Sequence, residues 1–387
     1  LKVFFGAVFI SCTLESCTFD VFTSASIMEC MQSIDSKSGN SDSVAGTHHS
    51  LRPPSFLTRQ DLRNAGLLET SDVQGLLQLL FHFAVLGVCA AAVHWCYSNG
   101  YWLLLLLAEV PFGIAESFLF NGFHEMVHNT AFKTQAFNTV LAEFLGFTMF
   151  RGAKWFWCFH WTHHRYTNDP AKDPELSGGI DTDDPTRSVT SYVAFLSGYP
   201  FGFERIPRMF LLSIGVAAAD PWVANQSAAT KKYVRIESAV YCVGYLLVAL
   251  AAVTHPRSVG INVALYWLLP HCFGAGHLRM YQFAEHRACL MGPYTDTNAW
   301  ICSRTTQTWW LYCKLAWHMP WHVEHHAFPS VPFHKLQATH EMIKAAYAKE
   351  GLSEVPSGCN PDGKSGYLGL HAKTFQVMVK SVAAKAA

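Results

Sequence analysis

From Val73 to Ala108 the chain carries no Lys, Arg, Asp or Glu. As one helix this run would extend roughly 54 Å, against a bilayer hydrocarbon core of about 30 Å. It is therefore expected to fold back at Ser98-Asn99-Gly100, a turn-forming triplet. That gives a first span over residues 76–97 and a second over 101–120. A second pair of apolar runs, 238–254 and 258–278, flanks the turn His255-Pro256-Arg257. The second span carries Glu109 and Glu116, which must face a protein interior because carboxylates are costly in lipid. Shorter apolar stretches at 136–150 and 191–203 read as helices lying at the membrane interface.

The pattern predicts an all-α integral membrane protein, with four transmembrane helices in two hairpins and a cytosolic helical cap. Each hairpin returns the chain to the side it left, so the N-terminal, middle and C-terminal regions share one face. Lys133, Arg151, Lys154, Arg165, Lys231 and Lys232 lie in the middle segment, whereas the two turns contribute only Arg257. The positive-inside rule then puts the shared face in the cytoplasm.

Composition agrees with a membrane setting. Only 14% of the 387 residues are charged, against about a quarter in ordinary soluble domains. Lys and Arg balance Asp and Glu at 28 each, which gives no electrostatic case for a nucleic-acid partner. The twelve cysteines are scattered without a CxxC pair and read as reduced, buried thiols. Residues 1–70 read as a leader, disordered over the Ser/Gly/Asn/Pro-rich part at 33–55. The chain opens on Leu1, with Met28 and Met31 as candidate starts; the short apolar run 3–10 is a weak match to a signal peptide. Residues 71–345 form the main domain and 346–387 a cytosolic tail.

Twenty histidines are the anomaly. His318 to His334 alone holds five of them. Three tight groups stand out: HEMVH at 124–128, HWTHH at 160–164 and HVEHH at 322–326. All fall on the expected cytoplasmic face. HxxHH is expected by chance about 0.05 times in such a chain, yet it occurs twice. Spacings of three and four residues stack side chains on one helical face. Imidazole is the commonest metal ligand near neutral pH, and eight exceed what one ion takes. Two metals with four or five ligands each fit the count. HEMVH alone also matches the HExxH signature of zinc hydrolases, with Glu125 as general base, but that reading leaves most of the other histidines unused.

These motifs resemble those of the membrane fatty acid desaturases, over about residues 76–345. HWTHHRYTNDPAKDPE resembles the family's extended second box. RMYQFAEH, from Arg279 to His286, and the stretch from Ser303 to Leu336 resemble a bacterial-type branch that includes rhizobitoxine-type desaturases. The resemblance implies that His124, His128, His160, His163, His164, His322, His325 and His326 bind two non-haem irons. His286 is the best candidate for a further ligand, ahead of His277. His318 stands where this branch is expected to carry Asn, and it reads as an outer or surface residue. His334 reads as structural. His82 and His94 read as core or interface histidines, and His48, His49 and His371 as exposed ones.

Ligating imidazoles need partners for their second N–H. Glu125, Asp169, Asp173, Glu285 and Glu324 lie beside the boxes and are the candidates. Arg304 is a candidate for holding a polar head group or carboxylate, or else for pairing with one of those acids. Trp155, Trp157 and Trp161 are candidates for lining an acyl tunnel, although anchoring at the interface is the plainer account of them.

The implied activity is O2-dependent insertion of a double bond into a fatty acyl chain. Hydroxylation on the same centre is the alternative; a membrane zinc hydrolase or a non-catalytic metal binder stands further back. No HPGG haem motif, dinucleotide fingerprint or cluster-binding cysteine set occurs, so the electrons are expected from a separate cytochrome b5 or ferredoxin. The Ser-rich leader favours a eukaryotic source and hence the endoplasmic reticulum, with a plastid or a bacterial inner membrane as the alternatives.

Overall fold

The computed structural model describes residues 57–177, 185–287, 289, 302–349, 351, 359 and 362–386. Its elements are helical; among the described residues the only β feature is one isolated bridge between Cys289 and Cys359. His48 and His49, like most of the expected leader, lie outside the described residues.

Helix α1, Asp72–Ser98, starts where the Ser71 side chain accepts from the Gln74 N–H at 3.3 Å. Such a cap satisfies one of the donors that a helix start leaves open. Asp72 also accepts from the Thr134 N–H and hydroxyl, each at 2.8 Å, which ties this end to the segment just ahead of Gln135. The turn comes at the expected triplet, with Gly100 in the left-handed region at φ +72°. Helix α2, Trp102–Ser117, then runs back, and after Phe118 the chain continues as α3, Leu119–Val127. Helix α4, Gln135–Thr148, packs on α3, and α5, Ala153–Tyr166, follows. Val88, Leu80 and Leu103 are exposed on α1 and α2, as side chains facing lipid should be.

Three helical stretches are long and apolar enough to cross a membrane: Asp72–Ser98, Trp102–Val127 and Ala228–Thr254. The third, α8, begins ten residues ahead of the expected 238. Its extra turns carry Lys231, Lys232, Arg235 and Glu237, charges that ended the apolar run but not the helix. The fourth expected span, 258–278, is not among the three. It is helical but opens with π-helical turns at Pro256–Gly260 and Ala264–Leu268 before α9, Leu269–His286.

Helix α9 lies along α2. Small residues allow the approach: a Cβ on Gly113 would sit 2.5 Å from the Gly274 nitrogen. Backbones that meet this closely gain packing which larger side chains would forbid. Glu109 and Glu116 are buried as expected, and Glu116 pairs with His271 at 3.2 Å.

Between the long helices lie α6, Val189–Leu196, and α7, Arg205–Ser213, the latter packed on α8. The part expected to be a tail contains α11, Gly366–Ala386, which packs on α9 and α6 and buries Tyr367, Leu370 and Met378. That docking corrects the reading of His371 as exposed. His371 is 8% exposed; one ring nitrogen meets the Tyr192 hydroxyl and the other the Met280 carbonyl at 2.9 Å.

The cysteines also need a correction. Seven of the described ones are free thiols, but Cys289 and Cys359 form a disulfide. A separation of 70 residues left no spacing signal for it.

Candidate metal centre

Helix α3 ends in the first box. It carries His124, and the His128 N–H closes the last turn on the His124 carbonyl at 3.0 Å. Helix α5 carries His160, His163 and His164. Its first turn is held by Glu237 of α8, whose carboxylate accepts from the N–H groups of Lys154 at 2.5 Å and Trp155 at 3.2 Å. A carboxylate at a helix N-terminus satisfies open donors and meets the positive end of the helix dipole. Helix α10, His322–Ala327, carries the third box, and His286 closes α9.

These four elements bring the nine candidate histidines together in two groups. The ring nitrogens of His124, His128, His160, His164 and His325 all lie within 4.8 Å of one another, and so do those of His163, His286 and His326. His322 joins the second group through His286, with Nε2 atoms 2.8 Å apart. Residues three and four apart divide between the groups. His160 and His164 take the first while His163 takes the second; His325 takes the first and His326 the second. The two groups touch where the rings of His164 and His326 stack at 4.2 Å.

The donor set fits cations. Nε2 of His160 lies 2.6 Å from that of His124 and 2.9 Å from that of His164. His128 has no hydrogen-bond partner on either ring nitrogen, and His326 has none on Nε2. Buried polar atoms rarely go unpaired, and lone pairs converging without donors are what metal coordination satisfies. Burial also keeps eight of the nine imidazoles neutral, the form that ligates; for His163 burial is outweighed by Asp173 and Glu175, which raise it to about 9. Burial pushes His128 down to about 3, and His160, His164, His325 and His326 well below the usual histidine value.

The outer ring nitrogens separate the five candidate acids. His163 Nδ1 meets Asp173 at 2.9 Å. His322 Nδ1 is 3.4 Å from Glu285, and His325 Nδ1 is 3.9 Å from Glu125. The Oε2 atom of Glu125 accepts from the Thr130 hydroxyl at 2.7 Å and the Phe333 N–H at 3.1 Å, while its Oε1, the atom nearer His325, has no hydrogen-bond partner among the described residues. Glu324 does not back a box histidine. It stands on the far side of α10, where it meets His340 Nδ1 and the Thr305 hydroxyl, each at 2.6 Å. Asp169 is likewise turned away, accepting from the Ala171 N–H at 2.9 Å within its own turn.

Two partners went unforeseen: His326 Nδ1 meets the Thr167 hydroxyl at 3.2 Å, and His286 Nδ1 the Cys302 carbonyl at 3.1 Å. Asn168, with φ +60°, donates from its side chain to the carbonyls of His286 and Cys302, each at 3.0 Å. Thr167 and Asn168 lie three and four residues past the end of the second box. That polar pair was the available signal, whereas a backbone carbonyl leaves none.

Arg304 does not face a ligand cavity. It is 1% exposed and clamps the end of α9, donating to the Ala284 carbonyl and to that of Arg287 at 2.8 Å. Its own N–H donates to the Glu285 carbonyl at 2.8 Å. Trp155 does line a cavity beside the centre, together with Asn168 and His286, while its indole donates to the buried Asp220 at 2.6 Å. The Trp161 ring lies 5.0 Å from that of His128, and Trp157 packs under the Lys154 ammonium at 3.7 Å. Three other histidines are held by hydrogen bonds away from the centre. His82 sits between the Ala115 carbonyl and the Trp317 indole, His277 between Ser117 and Tyr312, and His94 against Tyr266. His318 and His334 both flank Phe333 rather than joining the two groups.

Helices suited to a membrane, joined by a buried polyhistidine centre, define a class of membrane-bound enzyme. The fatty acid desaturase family model matches residues 100–358, well over half of the chain. The protein belongs to that family. An acyl-lipid 8-desaturase of Rebecca salina is 24% identical over 251 residues, 59% of this chain and 54% of that protein. The chain thus spans about half the length of that relative. A dihydrorhizobitoxine desaturase of Bradyrhizobium elkanii is 24% identical over 302 residues, 74% of this chain and 80% of that protein. The second match lies in the bacterial-type branch that the sequence resembles.

Proposed function

We propose that the protein is an O2-dependent di-iron desaturase that introduces a double bond into a lipid acyl chain. The observation that carries this reading is the division of nine histidines into two touching groups, each able to hold one ion. His124, His128, His160, His164 and His325 hold the first; His163, His286, His322 and His326 hold the second. The ions, when bound, supply reduction of O2 to water coupled to removal of two vicinal hydrogens, with two further electrons from an external donor. An all-imidazole set is borderline in softness and suits iron; it also suits zinc.

The chain's own residues position and insulate. Asp173, the Cys302 carbonyl and Thr167 fix the rings of His163, His286 and His326 so that their Nε2 atoms face the centre. Phe156 stacks on His160 at 4.9 Å and helps to keep water from that side. The zinc-hydrolase alternative asks Glu125 to act on a metal-bound water. Its Oε2 is held by Thr130 and Phe333, and its Oε1 lies 3.9 Å from the outer nitrogen of His325, the side of that ring turned away from the first group, which disfavours that role.

The four-span arrangement, with the run at 258–278 as the fourth span, belongs to the same proposal. So do the cytosolic placement of the histidines, residence in the endoplasmic reticulum, and a separate cytochrome b5 or ferredoxin as donor. The test is the lipid profile of yeast expressing the chain beside its His325→Ala twin. A new unsaturated acyl species that needs His325 supports the proposal. A hydroxylated species would transfer it to the alternative chemistry, and no new species with metal-loaded protein in the membrane would count against it.

A further inference from the structure

Arg151 is a buried charge that the proposed reaction leaves unused. It sits between α4 and α5 and is 7% exposed. Its guanidinium packs against aromatic faces, with Cζ 4.8 Å over Phe120 and 5.1 Å over Phe156. Among the described residues, none of the ion pairs or side-chain hydrogen bonds includes it. Burial works against its charge, and so do Arg205 and Arg279 nearby; Glu204 and Glu175 act the other way. Arginine does not lose its proton in proteins, so the cost is not relieved by neutralisation. A buried charge without a partner is strongly unfavourable, and an anion at this place would remove the penalty.

The surroundings can receive one. Arg151 lines two neighbouring cavities that also share Arg205, Arg279 and Gln282. The larger adds Arg208 and Arg287. Its acids are Glu204, Asp173 and Glu175, the last 4.0 Å from His163 Nδ1. Glu204 pairs with Arg205 at 3.6 Å, and Asp173 is held by His163. Gln282 also lines the pocket formed by His124, His160, His163, His286 and His322, so the cationic cavities and the histidine centre meet at this residue. The path is short. The contact of 5.1 Å from Arg151 to Phe156 and of 4.9 Å from Phe156 to His160 bound the whole distance at about 10 Å.

We propose that Arg151 binds the anionic end of the substrate, a carboxylate or phosphate, and so holds the acid group one aromatic ring away from the histidine centre. Arg205 and Arg279 add to the attraction. The reacting carbons then lie toward the acid end of the chain rather than toward its methyl end. The inference deepens the desaturase reading by naming the substrate's charged end and rests on that reading for the word substrate.

The test reads binding, not turnover. The full chain in phosphatidylcholine nanodiscs is titrated with dodecanoate, dodecyl phosphate and dodecanol, with empty nanodiscs subtracted. Wild type is expected to bind one or both anions at least tenfold more tightly than the alcohol, and which anion wins identifies the source of the charge. Arg151→Gln should bring the three within threefold, Arg151→Lys should keep a reduced preference, and the exposed Lys133→Gln should leave it unchanged. Equal binding of the three by wild type overturns the proposal without any variant. So does an undiminished preference in Arg151→Gln whose metal content matches wild type. A protein that prefers anions through Arg151 but forms no unsaturated product would retain this site while losing the desaturase reading.

Discussion

Asp173 meets His163 at 2.9 Å, both side chains 1% exposed. The same carboxylate accepts from the backbone N–H groups of Asn168 at 2.6 Å and Glu175 at 2.9 Å. A chain segment ten residues beyond the ring is thus locked to the end of α5. His163 Nδ1 is held outward, and its Nε2 stands 3.2 Å from that of His286.

Asp173→Asn is therefore expected to weaken metal at the second group by about 10- to 100-fold, the usual effect of losing such an outer partner. Competition with a chelator of known affinity measures it. Asp169→Asn, whose carboxylate is spent within its own turn, should fall within twofold of wild type. Equal losses in both variants would mean that the pairing at His163 orients nothing.

Arg304→Ala should reduce thermal stability without changing which head group is preferred. It strips donors from the carbonyls of Ala284 and Arg287 at the end of α9, and buried acceptors left unpaired cost about 1–3 kcal/mol each. A melting curve in detergent reads the loss. A shifted anion preference with an unchanged melting temperature would return Arg304 to the substrate.

The contact between Gly113 and Gly274 should tolerate nothing larger. Gly113→Val would push a side chain into the α9 backbone, and overpacking of this kind costs about 1–3 kcal/mol. The yield of monodisperse protein should fall, whereas Gly87→Val, at a position with open space around it, should leave the yield unchanged.

Glu237→Ala should loosen the start of α5, since its carboxylate alone spans the N–H groups of Lys154 and Trp155. The cost is that of losing a helix cap, about 0.5–2 kcal/mol. Glu237→Gln should recover part of it, because the amide oxygen still accepts. Hydrogen exchange at Lys154 and Trp155 reports the difference.

What the sequence discloses follows from how local each feature is. The boxes were legible because spacings of three and four residues fix which rings share a face. The turn at Gly100 and the burial of Glu109 were legible for equally local reasons. Arg304 was not, because its role depends on a later segment crossing the end of α9. Glu324 was misjudged because adjacency to His325 in sequence places it about 100° away around a helix. The start of α8 was hidden by charges that end an apolar run without ending a helix. The burial of His371 and the pairing of Cys289 with Cys359 depend on how the C-terminal segment docks, which no local pattern encodes.

The central claim is that two irons sit among nine histidines. Elemental analysis of the purified full chain tests it most directly. About two irons per chain are expected, falling by half or more in His325→Ala at unchanged helical content. One zinc per chain with no iron, unaffected by His325→Ala, would contradict the account.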